Sequence, residues 1–123
     1  VTSVDILPKH IETLRNMRIG GMRNIAMGYT ADICTLIEPD ESYDVVTMLE
    51  VLEHIPDAEA AVRNAVRMAR RFVIISVPSH PDNNPEHIHL FTKDMLTEMF
   101  TSAGCKKLNF SGVNGHLLLV AGK

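Results

Sequence analysis

The sequence predicts an α/β fold: a doubly wound, mostly parallel sheet that closes with a C-terminal antiparallel hairpin. Three observations lead there. Short apolar runs rich in β-branched residues alternate with stretches of helical periodicity along the 123 residues. That alternation implies parallel strands, which need crossover connections. The last two runs lie too close together to hold a helix between them, so one must turn back on the other. A chain of this length is expected to form a single domain over residues 1–123. On folding, a domain of this size buries roughly two thirds of its unfolded surface.

Thr2 to Ile6 reads as the first strand. Pro8 suits the first turn of a helix, where its missing N–H costs nothing. Ile11, Leu14 and Met17 give that helix an apolar stripe, and Gly20-Gly21 ends it. Asn24 to Gly28 reads as a second strand leading into a loop, Tyr29 to Ile33. Tyr43 to Leu49 has the continuous apolar character of a buried strand. Pro56-Asp57 opens the next helix, whose Ala58, Ala61, Val62, Ala65, Val66 and Ala69 fall on one face. Phe72 to Val77 is a further buried strand stopped by Pro78, and SHPDNNPEH after it is a loop. Thr92 caps a third helix with Leu96, Met99, Phe100 and Ala103 inward and Gly104 at its end. Strands near Lys107 to Gly112 and His116 to Ala121 close the chain.

Composition narrows the function classes. Apolar residues are 46% and charged ones 22%, as in ordinary soluble domains. No apolar run approaches the roughly 20 residues that cross a bilayer, so no membrane partner is expected. The net charge of −3 and the lack of a basic cluster argue against nucleic acid. Cys34 and Cys105 form no CxxC pair, which fits a reducing, cytoplasmic setting. The opening VTSVD has no initiating Met and enters a strand at once, as a fragment or trimmed chain would.

Ligands of doubly wound sheets sit at the carboxyl ends of strands. Asp5 ends the first strand, where a carboxylate can accept both hydroxyls of a ribose or cap the following helix. Asp32 is placed to accept from an adenine amine with Ile33 on the ring face, or simply to shape a turn. Glu50, Glu53 and His54 are spaced so that one helical turn would gather them on one face. Two carboxylates and an imidazole suit a divalent cation or acid–base work; a polar rim that caps backbone groups is the plainer reading. No metal is therefore expected, with Glu50, Glu53, His54 and His89 as the residues that would hold one. His87 and His89 alternate along an extended segment and would point to one side, facing a substrate or fixing their loop. His10, His80 and His116 have no evident partner.

The block ESYDVVTMLEVLEHIPDAEAAVRNAVRMARRFVIISVP resembles the centre of the small-molecule type class I S-adenosylmethionine-dependent methyltransferases. There an aromatic-Asp strand entry leads to a vLEH(I/V)pD turn, a helix and a strand ending in Pro. Val4-Asp5-Ile6 resembles their second strand, Ala31-Asp32-Ile33 the adenine loop, and HIHLFTKDMLTEMFTSAGC the helix before the final hairpin. The likeness runs in order from Val1 to Lys123. It implies a Rossmann-like fold and S-adenosyl-L-methionine as cofactor. It also implies Asp5, Ile6, Asp32, Ile33, Leu49 and Glu50 as cofactor-binding residues, and His54, His87 and His89 as candidates at the acceptor. One part of the pattern is missing: the first strand, its GxGxG turn and the following helix, for none of the seven glycines forms such a loop. The missing strand is normally central, so the sheet would have to close a gap, pair with another chain or remain partly exposed at an edge, and a homo-oligomer formed through the incomplete sheet is one expected consequence.

The resemblance implies methyl transfer to an unidentified acceptor, a small molecule or another group, with a small molecule the expected partner. A metal-dependent O-methyltransferase is an alternative, because E-x-x-E-H also resembles the divalent-metal motif of the small-RNA 2′-O- and ubiquinone-pathway O-methyltransferases. A degenerate, non-catalytic partner subunit is another, resting on the absent glycine loop. A dinucleotide-dependent oxidoreductase shares the acid after the first strand but leaves the LEHIPD block unexplained.

Overall fold

The structure, a computed structural model, describes residues 1–25 and 27–123, and it divides into two compact units, Val1–Leu36 and Ile37–Lys123. Ala26, inside the expected second strand, lies outside the described residues.

In the first unit, β1 (Thr2–Asp5) and β2 (Met27–Thr30) pair in parallel, joined by α1 (Pro8–Ile19). Pro8 stands in the first turn, as its fixed φ and missing donor favour. Of the expected stripe only Ile11 is buried; Met17 is 39% exposed. The helix lies against β2, where a Cβ on Gly28 would sit 3.8 Å from Ile11 Cγ2. Tyr29 and Thr30, expected in a loop, extend β2 because they pair with Val4 and Asp5.

In the second unit the strand order is β3-β4-β6-β5, with β3 at Tyr43–Leu49, β4 at Ala69–Pro78, β5 at Lys107–Val113 and β6 at His116–Gly122. β3 and β4 are parallel; β4–β6 and β5–β6 are antiparallel, and Asn114-Gly115 forms the positive-φ hairpin turn. The described strands form two separate sheets, β1-β2 in the first unit and β3-β4-β6-β5 in the second. The Rossmann-like fold class, with a mostly parallel arrangement and a C-terminal hairpin, is as the sequence predicts.

The core of the second unit is built on β4, where Val73, Ile75 and Val77 are fully buried. α2 (Ala58–Met68) lays Ala61, Val62 and Ala65 on it, capped by the Asp57 side chain accepting from Ala60 N–H. α3 (Lys93–Ser102), capped by Thr92, contributes Leu96 and Phe100. Two sequence expectations need correction. Ala69 is buried but belongs to β4, since its pairing with Tyr43 overrides helical spacing. β3 is not a buried strand: only Met48 is covered, while Val45 is 42% and Leu49 55% exposed. Among the described residues β3 pairs on one side only, so its apolar run marks an edge with uncovered side chains.

Phe100→Ala should lower unfolding free energy by about 3–5 kcal/mol, because a large aromatic leaves a cavity among fixed neighbours. Chemical denaturation of the second unit's transition measures this, with exposed Met95→Ala expected to change it by less than about 1 kcal/mol.

Candidate functional site

Within the first unit, Asp5 stands at the carboxyl end of β1. One carboxylate oxygen accepts from Leu7 N–H at 2.8 Å, and the other from His10 Nδ1 at 2.9 Å. Partial burial pushes the Asp5 carboxyl up, but the Leu7 amide and His10 together hold it below the usual range, so it is ionised. Ile6 beside it is exposed. Asp32 shapes a turn: its Oδ1 accepts from Cys34 N–H at 2.9 Å and its carbonyl from Thr35 N–H at 3.1 Å.

Within the second unit, the chain leaves β3 through Leu49 and Glu50. Glu50 has φ +55°, a left-handed conformation that costs a non-glycine residue on the order of 1 kcal/mol. Its N–H donates to the Ser76 carbonyl at 2.9 Å. Its carboxylate accepts from Ser76 Oγ at 2.8 Å and forms an ion-pair contact with His116 Nδ1 at 2.7 Å. The short 3₁₀ turn Leu52–His54 follows. The expectation of one helical face carrying Glu50, Glu53 and His54 therefore needs correction. The sign of φ at Glu50 breaks the helix before it starts, and Glu50 turns to β4 and β6.

Glu53 points inward. Its side chain is fully buried, and neither carboxylate oxygen has a hydrogen-bond partner among the described residues. Burial, and then the nearby Glu50 charge, push its carboxyl above the usual range; its own backbone N–H and the imidazoles of His54 and His87 oppose this. His54 Nε2 lies 3.6 Å from Glu53 Oε1, and the His54 and His87 rings meet edge-on at 4.8 Å between centroids. His87 Nδ1 donates to Asp82 Oδ2 at 2.6 Å, which leaves its Nε2 lone pair available. That bond holds the Asp82 carboxyl below its usual range.

Glu53, His54 and His87 each offer one ligand atom, and these atoms lie within 4.8 Å of one another. Carboxylate and imidazole donors suit a borderline divalent cation, and Asp82 supplies the outer-shell acceptor that orients a ligating histidine. His89 takes a different course. Its Nε2 donates to the Ile55 carbonyl at 2.8 Å, and Ile88 N–H donates to the Glu53 carbonyl at 2.9 Å, so the loop is stitched to the 3₁₀ turn. A shallow pocket of about 240 Å³ opens beside it, lined among others by Pro78, His80, Asp82 and His87.

Four partners had escaped the sequence reading: His10, Ser76, Asp82 and His116. The loop carried one usable signal, since Asp82 and Asn84 each accept from the amide two residues on, and successive turns of this kind double the chain back. His116 was visible only through the β4–β6 register.

Acids at strand ends on an alternating α/β frame define a nucleotide-cofactor class of fold. The family described as methyltransferase domain matches residues 1–75, more than half of the chain, and the chain belongs to that family. Ubiquinone biosynthesis O-methyltransferase of Rickettsia bellii (strain OSU 85-389) is 33% identical over 67 residues, covering 54% of this chain and 27% of the relative. The chain thus spans about a quarter of that relative's length. Among solved structures, the [4+2]-cyclase SpnF is similar with a TM-score of 0.85 at 13% identity, over 99% of this chain and 66% of that one. Magnesium protoporphyrin IX methyltransferase of Synechocystis PCC 6803 with bound S-adenosylhomocysteine (SAH) gives a TM-score of 0.74 at 18% identity, over 100% of this chain and 64% of that one.

The donor set of the first unit fits part of the family's cofactor. Asp5 is an ionised acceptor beside the exposed apolar Ile6, the chemistry a ribose demands.

Glu53→Gln should change stability with pH. The folded protein holds the Glu53 proton more tightly than the unfolded chain does, so this group's contribution falls as pH rises above the ordinary 4.5. The variant cannot ionise, so relative to wild type it should gain about 1–3 kcal/mol between mildly acidic and neutral pH. Urea denaturation at the two pH values reads that difference; equal differences would mean that Glu53 is not held as described.

Proposed function

We propose that this chain serves S-adenosylmethionine-dependent methyl transfer to a small-molecule acceptor. The ionised Asp5 at the end of β1 carries this reading, because Val4-Asp5-Ile6 resembles the strand whose acid holds the cofactor ribose in the family. When bound, the cofactor supplies a methyl group on an electrophilic sulfonium. The protein's task is then to align groups and exclude water. Within the first unit, Asp5 is the residue to accept the ribose hydroxyls and Asp32 and Ile33 those to meet the adenine; within the second, Leu49 and Glu50 are the residues that the family's pattern assigns to the methionine end. His54 and His87 flank the acceptor; a neutral imidazole there removes the acceptor's proton as it becomes a nucleophile. His89 positions the loop through Ile55 and is not free at Nε2 to act as a base. Neither Cys34 nor Cys105 forms a disulfide, which supports a cytoplasmic setting. No helix among the described residues is long and apolar enough to cross a membrane.

Calorimetric titration of SAH into the 123-residue chain tests the proposal. Saturable binding is expected, weakened roughly 10- to 100-fold by Asp5→Ala, the loss of hydrogen bonds to a charged acceptor. Absence of binding by the wild-type chain would overturn it in favour of a non-catalytic, methyltransferase-like subunit.

A second reading, a metal-dependent O-methyltransferase, is favoured by the buried Glu53 carboxylate without a hydrogen-bond partner beside His54 and His87. A cation there would compensate the buried charge and bring an acceptor hydroxyl toward its ionised form. Glu50, engaged by Ser76 and His116, is outside this group. Titration with Co²⁺, followed by visible absorption, should give a saturable ligand-field band that Glu53→Gln and His87→Ala both remove. A spectrum indifferent to both substitutions would dismiss the metal.

A further inference from the structure

Glu50 is strained, half-exposed and doubly held, which is more than a strand end requires. The β3–β4 ladder runs to Leu49 opposite Ser76, and the Glu50 amide continues it onto the Ser76 carbonyl. In the β4–β6 ladder Pro78 is opposite His116. Side chains alternate along a strand, so Ser76, Pro78 and His116 share one face of the sheet. The hairpin tip cannot slide on β4, because Ser79 N–H donates to the Gly115 carbonyl at 2.8 Å. Two groups from two different strands thereby reach the same carboxylate: Ser76 Oγ donates to Oε2, and His116 Nδ1 makes an ion-pair contact with Oε1. Each oxygen keeps a lone pair, and the Glu50 side chain remains 38% exposed.

We propose that His116 and Ser76 are positioning residues that fix the Glu50 carboxylate as a preoriented anionic acceptor for a donor group of the bound ligand. This rests on the reading above that Glu50 faces the methionine end of the cofactor. The left-handed backbone aims the side chain back over the ends of β3 and β4, and the two donors stop it from swinging out into water. A carboxylate held in this way loses less freedom when a ligand donor arrives than one that must first be ordered. Because Nδ1 is the ring nitrogen 2.7 Å from the carboxylate, a neutral His116 is best suited to this contact with its proton on Nδ1, the tautomer opposite to that of His89, which donates through Nε2.

The experiment has two readouts, and the first needs no ligand. Long-range ¹H–¹⁵N NMR at alkaline pH reports the tautomer of His116 in the wild-type chain, assigned by its absence from His116→Ala. Nδ1–H is expected, shifting toward Nε2–H in Glu50→Ala. A wild-type Nε2–H tautomer that Glu50→Ala leaves unchanged would overturn the proposal. The second readout is SAH affinity. His116→Ala should weaken it about 10-fold, and Ser76→Ala by about 3- to 10-fold. His116→Asn, whose amide nitrogen reproduces the Nδ1 donor, should return it to within about 3-fold of wild type, while His116→Gln should not. Equal affinity in wild type and His116→Ala, or failure of Asn to rescue in a variant with wild-type melting temperature, would overturn it. If the wild-type chain binds no SAH, it is the reading of function that falls. The tautomer then decides alone whether Glu50 is held: Nδ1–H upholds the positioning and Nε2–H ends it.

Discussion

The backbone pairing of β4 is the constraint on which the second unit depends. β4 is flanked on both sides, by β3 in parallel and by β6 in antiparallel register, so its amides and carbonyls are satisfied within the sheet. That permits Val73, Ile75 and Val77 to be buried completely, with α2 closing over the resulting apolar surface and α3 packed against α2. Those two registers also bring the exit of β3, the exit of β4 and the entry of β6 to one end of the sheet. Leu49 faces Ser76, and Pro78 faces His116. Every polar contact described around Glu50 follows from that alignment.

The Glu53 cluster shows a different economy. A carboxylate with no hydrogen-bond partner is among the costliest groups to bury, and burial without compensation selects its protonated form. The surrounding backbone nevertheless fixes it in place: Ile88 N–H donates to the Glu53 carbonyl, and His89 donates to the Ile55 carbonyl two residues on. The loop after β4 is thus tied to the 3₁₀ turn by main-chain carbonyls, and His87 is delivered beside His54 as a consequence. Local stability is given up at Glu53 while the frame around it is reinforced.

Two glutamates in left-handed conformations bracket β3, Glu41 before it and Glu50 after it. Each is held by neighbours distant in sequence. Glu41 N–H donates to the Arg67 carbonyl, and its carboxylate accepts from Lys123 Nζ at 3.4 Å. Arg67 in turn donates to Asp40 and to the Glu38 carbonyl, clamping the approach to β3 onto the end of α2. An edge strand paired on one side is therefore fixed at both ends by side chains, which compensates for the ladder it lacks.

Much of the fold was legible in the amino-acid order. Pro8, Asp57, Thr92 and Gly104 mark helix ends by local chemistry, and β-branched runs mark strands, so nearby residues alone decide them. That Asp5 ends the first strand was equally legible, because the apolar run stops there and a helix start follows at Pro8. Spacing misled at Glu50, Glu53 and His54, since a helical face presupposes helical dihedrals and Glu50 leaves them at the first residue. It misled also at Tyr43 to Leu49, where an apolar run says that a strand can be buried but not how many neighbours cover it. The partners of Glu50 and Asp5, the burial of Glu53 and the divergence of His87 from His89 were decided by tertiary structure. The sequence by itself determined which elements form and in what order, because capping and periodicity act over a few residues. Which polar groups meet was decided by strand register and loop closure, which bring together residues as far apart as Glu50 and His116 only once the sheet has formed.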